Sequence, residues 1–235
     1  EGLEWSKAWD ITVNTFGYTN HTVMPEALEK WPVELMSAVL PRHLEIVYNI
    51  NHDFMEMIKA KYPNDHKRMG SMSIIEEGER KNVRMANLSI VGSHSVNGVA
   101  ALHTEILKHS CFKYFYELWP EKFNNKTNGV TQRRWMKLCN WELADLISSK
   151  IGDKWITDLF ELKKLENFIN DKDFRSKFVE IKLNNKKRFA QYIKEHNNLD
   201  VDVNSMFDCQ VKRIHEYKRQ LLNILHVIAL YNRIK

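Results

Sequence analysis

A dense run of cations follows an apolar segment in the last part of the sequence. Lys212 and Arg213 open this run, and Lys218 and Arg219 close it. Residues 205–211 before it alternate as a short β-strand does, and a helical pattern follows it. A turn between a strand and a helix offers free N–H groups and the positive end of the helix dipole, and both favour an anion. The pattern therefore predicts a phosphate site. The Arg213 guanidinium would donate to two phosphate oxygens, and Lys212 or Lys218 would add a point charge.

The same run has a less specific explanation, because charged runs are usually solvated surface. Cations at a helix N-terminus oppose the helix dipole, which costs roughly 0.3 kcal/mol or more each when no anion is present. The cluster therefore favours a bound anion without requiring one.

Other side chains that could do chemistry are less informative alone. His21 lies in a loop just before Pro25, which marks the first turn of a helix, and such a histidine is usually a structural hydrogen-bonding residue. The same applies to three further histidines, His94, His103 and His215. Asn128 precedes a glycine and is by default a turn residue. Glu76 and Glu77 could be a carboxylate pair for glycoside hydrolysis, but adjacent carboxylates rarely converge on one bond. Glycoside hydrolases use carboxylates from separate elements about 5 to 10 Å apart, so we reject a hydrolase site here.

Helical patterns dominate the elements that must position these residues. Pro41 opens a long helix whose apolar residues recur every three or four positions, and residues 63–65 stop it. The stripe of this helix comprises Leu44, Val47, Ile50, Phe54 and Ile58. Residues 83–92 are ambiguous between strand and helix. Further helices are predicted near residues 25–31, 99–111, 134–150, 159–168 and 174–194, with loops or irregular structure at 71–82 and 114–123.

Residues 124–131 have loop chemistry throughout, because Asn-Gly accepts positive φ and side-chain amides can bond the local backbone. We expect a domain boundary there, with one domain at 1–125 and a second at 126–235. The second ends in the predicted strand at 205–211 and a helix from Gln220. The buried stripe of that helix would comprise Leu221, Leu222, Leu225, Ile228 and Tyr231. Strand, basic turn and helix would form a first unit of a parallel α/β sheet.

The composition is that of a globular protein, with 43% hydrophobic and 28% charged residues in 235. The net charge of +5 raises the possibility of a nucleic-acid partner, but the cations are interleaved with 30 acidic residues and no nucleic-acid-binding motif is present. We expect the three cysteines, Cys111, Cys139 and Cys209, to be packed reduced thiols, with no metal site. No membrane partner and no secretory signal are expected, which favours a cytoplasmic protein.

Several segments resemble the α-glucan (glycogen and starch) phosphorylases. The three most specific are TNHTVMPEALEKWP (19–32), NKTNGVTQRRW (125–135) and VKRIHEYKRQLLN (211–223), and PRHLEIVYNIN (41–51) and GSHSVNGVAALHTEIL (92–107) also fit. The resemblance runs through the whole chain in one order. It implies an internal fragment of such an enzyme, comprising the end of the N-terminal lobe and the start of the C-terminal lobe of a helix-rich, two-lobed α/β glycosyltransferase fold (GT-B).

The resemblance also implies a reaction, a cofactor and partners. The reaction is the reversible, retaining phosphorolysis of an α-1,4-glucan by orthophosphate, which releases glucose 1-phosphate. The cofactor is pyridoxal 5′-phosphate, which works through its phosphate. The full-length protein would be a homodimer, and the fragment alone would be inactive, since the lysine that forms the Schiff base lies outside this chain.

Site residues follow from the same resemblance. His21 resembles the histidine near the 6-hydroxyl of the bound glucosyl unit, and Asn128 the asparagine that hydrogen-bonds this sugar from the other lobe. Arg213 resembles the arginine that clamps the substrate phosphate. Three further residues resemble those around the cofactor and substrate phosphates and the sugar: Lys212, Lys218 and Tyr217. Arg213, Lys218 and His21 would be catalytic, and Lys212 and Lys218 would bind the cofactor.

Two departures from the family pattern and two rival functions remain. Gln132 stands where the family usually has proline, and Asn140-Trp141 replaces a more common Asn-Pro. The rivals are a non-catalytic glucan-binding homologue and a basic nucleic-acid-binding module.

Overall fold

The chain forms two compact units. The computed structural model describes residues 2–215 and 218–235. The first unit ends at Asn128, and the second comprises Gly129–Lys235.

The segment before Asn128 belongs to the first unit, although the predicted boundary follows residue 125. The Lys126 N–H donates to the Gly98 carbonyl (3.1 Å), and the Asn128 N–H donates to the Val99 carbonyl (3.0 Å). Backbone pairing thus continues beyond the last strand and holds these residues. Asn128 therefore lies in the same unit as His21, whereas the sequence places it in the second.

Seven helices and six short strands make up the described part of the first unit. The helices are α1 (Trp5–Thr15), α2 (Val33–Val39), α3 (Pro41–Lys61), α4 (His66–Met72), α5 (Met85–Val91), α6 (Ala101–Ile106) and α7 (Lys113–Leu118). The strands are β1 (Gly17–Thr19), β2 (Lys30–Pro32), β3 (Ile75–Glu76), β4 (Asn82–Arg84), β5 (Ser95–Gly98) and β6 (Phe123–Asn125). A π-helical segment, Leu107–Cys111, continues α6.

The strands form two three-stranded sheets. One is parallel, with the order β1-β5-β6, and the other is antiparallel, with the order β2-β4-β3. The first unit is therefore a helix-rich α/β structure with a parallel sheet, as the sequence predicts at this level.

Helix α3 supplies one wall of the core. Its five predicted apolar residues, Leu44, Val47, Ile50, Phe54 and Ile58, are all buried. They pack with residues of the sheets and neighbouring helices that are fully buried, including Ile74, Val83, Ile90, Val96 and Leu107. Pro41 occupies the first turn, where its missing N–H costs nothing. The prediction of this helix is confirmed.

Other predictions in this unit need correction. Pro25 does begin a helical turn, but it is a single 3₁₀ turn, Pro25–Ala27, before β2. The ambiguous stretch at 83–92 contains the end of β4 followed by α5. Residues predicted as loop or irregular contain β3, α7 and the start of β6. These strands have two to four residues, too short for an alternating pattern to be distinctive.

The second unit contains helical segments around a smaller core. The segments are the π-helical Arg133–Leu138, α8 (Trp141–Ile151), the 3₁₀ segments Lys154–Ile156 and Leu159–Phe168, α9 (Lys172–Asn197) and α10 (Gln220–Ile234). Its core cluster comprises the buried residues Ala144, Ile147 and Trp155, and the Trp155 indole N–H donates to the Ser148 hydroxyl at 3.1 Å. Asp171 caps α9 by accepting from the Phe174 N–H at 3.0 Å.

The predicted strand at 205–211 is not formed. No described residue pairs with its backbone as a neighbouring strand, and Met206 and Val211 are 92% and 94% exposed. A strand needs a partner to satisfy its N–H and C=O groups. Helix α10 does form, but its predicted buried stripe, from Leu221 to Tyr231, is exposed. No described segment covers it, so that prediction is wrong here.

The cysteines also differ from expectation. Cys111 is half-buried, and burial raises the pKa of its thiol. Cys139 and Cys209 are exposed, so they are not packed as small apolar groups. Within the described ranges, no helix is long and apolar enough to cross a membrane.

Candidate functional site

The carboxyl ends of three parallel strands meet at one edge of the first unit. The chain leaves β1 into Asn20 and His21, leaves β5 into Val99, and leaves β6 into the segment that ends at Asn128. In α/β sheets, ligands bind preferentially outside this edge. The sequence predicts such an edge for the basic run near residue 212, whereas the structure shows one beside His21 and Asn128.

His21 lies in a turn fixed by the residue before it. Asn20 is 1% exposed, and its side-chain oxygen accepts the Thr22 N–H at 2.9 Å. Its backbone N–H donates to the Asn97 carbonyl at 2.9 Å, which continues the β1–β5 ladder by one residue. The Asn20 side chain thus closes a local turn with His21 at its centre. The His21 side chain is exposed and free to face a ligand.

The amide of Asn20 also contacts a phenol inside the unit. Its Nδ2–H donates to the Tyr18 hydroxyl oxygen at 3.1 Å. Burial raises the pKa of Tyr18, and the contact with Asn20 opposes the rise. The phenol therefore stays protonated at neutral pH and gives this edge no charge of its own.

Asn128 is held by its backbone while its side chain stays exposed. Its N–H bond to the Val99 carbonyl fixes the end of the segment (3.0 Å). Nearer the strand, the Asn125 side-chain amide donates to the Thr127 hydroxyl at 2.9 Å. An exposed amide on a fixed backbone can donate and accept hydrogen bonds with sugar hydroxyls.

The edge depends on close packing between β5 and α6. A Cβ atom on Gly98 would lie 2.5 Å from the Thr104 hydroxyl oxygen and 2.9 Å from the Thr104 Cα. Only glycine fits there, because the neighbouring atoms include helix backbone. This packing sets the position of the chain that leaves β5.

The basic run in the second unit folds back on the start of α10. The Gln220 side-chain oxygen accepts the His215 N–H at 3.1 Å, and its amide donates to the carbonyls of Arg213 (3.1 Å) and Lys212 (3.4 Å). Lys212 and Arg213 expose their side chains. The Lys218 N–H donates to the His215 carbonyl at 3.0 Å. The Gln220 side chain thus fixes the backbone of residues 212–215, while the side chains of Lys212 and Arg213 remain exposed to solvent.

The predicted site residues lie in both units, and each unit brings some of them together. His21 and Asn128 follow strands of the same sheet edge in the first unit. Arg213, Lys212 and Lys218 lie in one loop of the second. Tyr217 lies outside the described residues, so its predicted role is not tested.

Sequence reasoning missed three residues that support these positions. Asn20 stands beside His21 without a motif of its own, Gly98 belongs to no recognisable pattern, and Gln220 marks only the start of a predicted helix. An Asn before a loop histidine is the one local signal that could have been used, since Asx turns are common there. For His103 the sequence indicates only a structural hydrogen-bonding role.

Comparison with known proteins decides the family. The profile of the carbohydrate phosphorylase family matches residues 1–235. The chain belongs to this family. It is 55% identical over 235 residues to the muscle form of glycogen phosphorylase from Homo sapiens and to that from Oryctolagus cuniculus. It is 58% identical over 232 residues to glycogen phosphorylase from Synechocystis sp..

The matches cover nearly all of this phosphorylase chain but only part of each relative. Alignment includes 100% of this chain and 28% of the Homo sapiens protein, and 99% of this chain and 27% of the Synechocystis protein. The resemblance predicted from the motifs, including that to an internal portion of a longer enzyme, is confirmed. Among residues 2–215 and 218–235, no group of histidine, cysteine, aspartate or glutamate side chains could hold a metal ion.

Proposed function

We propose that the full-length protein catalyses the phosphorolysis of α-1,4-glucan chains. Orthophosphate would attack the non-reducing end of glycogen or starch and release glucose 1-phosphate with retained configuration. The observation that carries the proposal is the sheet edge where His21 and Asn128 both follow parallel strands, in a chain of the carbohydrate phosphorylase family. The names of its relatives, glycogen phosphorylases, support the same reaction.

We infer a role for each site residue from the resemblance of its motif to those of the family. His21 contacts the glucosyl unit near its 6-hydroxyl, and Asn128 hydrogen-bonds the same sugar. Arg213 grips the substrate phosphate through two N–H groups, and Lys218 adds charge beside it. Tyr217 would touch the sugar-phosphate.

The basic run fits a phosphate-bearing cofactor. Lys212 and Arg213 are exposed, and among the described residues neither forms an ion pair with a carboxylate. Such cations lie near the N-terminus of α10, where only an anion would offset their unfavourable placement. We infer that Lys212 and Lys218 hold the phosphate of pyridoxal 5′-phosphate, with the Schiff-base lysine outside this chain. When bound, the cofactor would supply a phosphate that donates and accepts a proton.

The remaining expectations belong to the whole protein. We infer a GT-B arrangement in which residues 1–125 belong to the N-terminal lobe and 126–235 to the cofactor-binding lobe, with the backbone of residues 126–128 bonded to the first unit at the junction. We also infer a cytoplasmic homodimer and an inactive isolated fragment.

The decisive experiment is an assay of the full-length protein. Incubated with glycogen and orthophosphate, it should release α-glucose 1-phosphate, and omission of orthophosphate should abolish the release. Pyridoxal should be recovered after denaturation. Glycogen binding without glucose 1-phosphate release would indicate a non-catalytic homologue, and salt-sensitive binding to random nucleic acid below about 1 μM would indicate a nucleic-acid-binding protein.

Replacing Gln220 by glutamate tests the support of the phosphate-binding loop. The carboxylate can still accept the His215 N–H, but it has no donor for the Lys212 and Arg213 carbonyls. Because two bonds to the loop become repulsive contacts, KM for orthophosphate should rise about tenfold. Gln210→Glu is the control, since it adds the same charge at an exposed neighbouring position and should change KM less than about twofold. Equal effects would mean that charge alone matters.

A further inference from the structure

We propose that His103 is a positioning residue that fixes the two sugar-facing segments relative to each other. One segment is the turn that carries His21, and the other ends at Asn128. The inference rests on the proposed function, because it assigns His103 a role in that reaction. His103 acts through two intermediaries, Asn20 and Val99.

The first link runs from His103 to the segment of Asn128. The Val99 N–H donates to His103 Nδ1 at 3.0 Å. The Val99 carbonyl accepts the Asn128 N–H, also at 3.0 Å. Both backbone groups of Val99 are thus used, one toward the imidazole and one toward Asn128. A shift of Val99 would move the backbone of Asn128 with it.

The second link runs from His103 to the turn of His21. His103 Nε2 lies 3.1 Å from the Asn20 side-chain oxygen. The same oxygen accepts the Thr22 N–H that closes the turn. Asn20 is almost completely buried, so it cannot exchange these partners for water. The His103 imidazole therefore contacts Asn20, the residue that sets the position of His21.

Two backbone donors determine the protonation of the ring. The Val99 N–H can only donate, so His103 Nδ1 must carry a lone pair. The Thr22 N–H can only donate, so the oxygen of the Asn20 amide must face it, and His103 Nε2 must then supply the hydrogen. Both constraints require the neutral ring with its proton on Nε2. The contacts are consistent only with this one tautomer.

The helix beneath the imidazole is itself tied to the sheet edge. The Thr104 hydroxyl lies 3.0 Å from both the Ala100 carbonyl and the Asn125 side-chain oxygen. It therefore links α6 to the end of β6. The His103 ring is carried by α6. Its Nε2 contacts Asn20 in the loop after β1, and its Nδ1 contacts Val99 in the loop after β5, so the ring joins these two loops. Amide side chains cannot replace it fully, because asparagine places its oxygen near Nδ1 only and glutamine reaches Nε2 only.

The test compares His103→Ala, His103→Asn and His103→Gln in the full-length holoenzyme. The alanine variant loses both links and should lower kcat/KM for glucose 1-phosphate about 10- to 100-fold, as expected when reacting groups are misplaced. Each amide variant keeps one link and should fall between alanine and wild type. KM for orthophosphate and pyridoxal content should stay unchanged. If alanine prevents folding, the two amide variants provide the same comparison.

A double-mutant cycle separates positioning from general stability. If His103 acts partly through His21, then His103→Ala should cost less in a His21→Ala background than in wild type. His109→Ala is the matched control, because this exposed histidine follows the same helix and contacts Glu105 and the edge of the Tyr116 ring rather than Asn20 or Val99. It should leave kcat/KM unchanged. If the wild type is active and every His103 variant has the same kcat/KM as the wild type, the inference is overturned. An inactive wild type would overturn the proposed function instead.

Discussion

Full-length protein carrying Arg213→Ala is expected to turn over at least about 100 times more slowly than wild type. Arg213 is exposed, and the Gln220 side chain fixes its backbone. The guanidinium is therefore exposed to solvent on a backbone that is already fixed. Removing it takes away a preorganised charge where negative charge must be held. The measurement is kcat for glucose 1-phosphate release at saturating glycogen and orthophosphate.

Two further variants distinguish charge from geometry. Arg213→Lys keeps the positive charge but loses the planar pair of donors, so its turnover should lie between those of alanine and wild type. Arg175→Ala removes an exposed arginine from α9 and should leave turnover unchanged. Near-normal turnover of Arg213→Ala would mean that the phosphate binds elsewhere.

Elements set by local sequence could be predicted. The α3 stripe has five apolar residues at helical spacing, and a proline marks the start of the helix, so its buried face could be identified from spacing alone. Helix α9 likewise begins after Asp171, which caps it, and ends before Asn198, which adopts the left-handed conformation with φ of 53°. In both helices the signal lies within a few residues of the structure that it predicts.

Short strands could not be predicted from sequence for the opposite reason. β1 and β5 pair residues that are far apart, such as Tyr18 with Val96, and neither strand exceeds four residues. The reverse error occurred at 205–211, where a strand-like pattern has no partner among the described residues. Strand formation depends on a neighbour that local alternation does not reveal.

In the candidate site, too, residues with a local sequence signal could be predicted, and contacts between distant parts of the chain could not. Motifs identified His21, Asn128 and Arg213 by type, and the basic run indicated an anion on physical grounds. The shared edge of His21 and Asn128 was not predicted, because it depends on strand order. His103 and Asn20 are separated by 83 positions, so their contact has no local signature. Supporting residues of this kind become visible only in the folded chain.

Replacing Gly98 by alanine should destabilise the first unit by about 1 to 3 kcal/mol, the usual cost of overpacking. The added methyl group would lie 2.9 Å from Thr104 Cα and 3.0 Å from Thr104 N. Because these are helix backbone atoms, α6 must move away from the end of β5. His103 would move with α6, so kcat/KM for glucose 1-phosphate should also fall. Thermal unfolding and steady-state assays of the full-length variant measure both effects.

Gly17→Ala provides the matched control, since Gly17 lies in β1 of the same sheet. A Cβ atom there would meet only the Ser95 carbonyl oxygen, at 3.7 Å, an ordinary contact. Alanine also loses less backbone entropy than glycine on folding, so this variant should be as stable as wild type or slightly more so. If both substitutions had equal effects, glycine would be needed for backbone flexibility in this sheet. A loss confined to Gly98→Ala would instead support the close approach of α6 to β5 as the feature that positions the turn of His21 and the segment of Asn128.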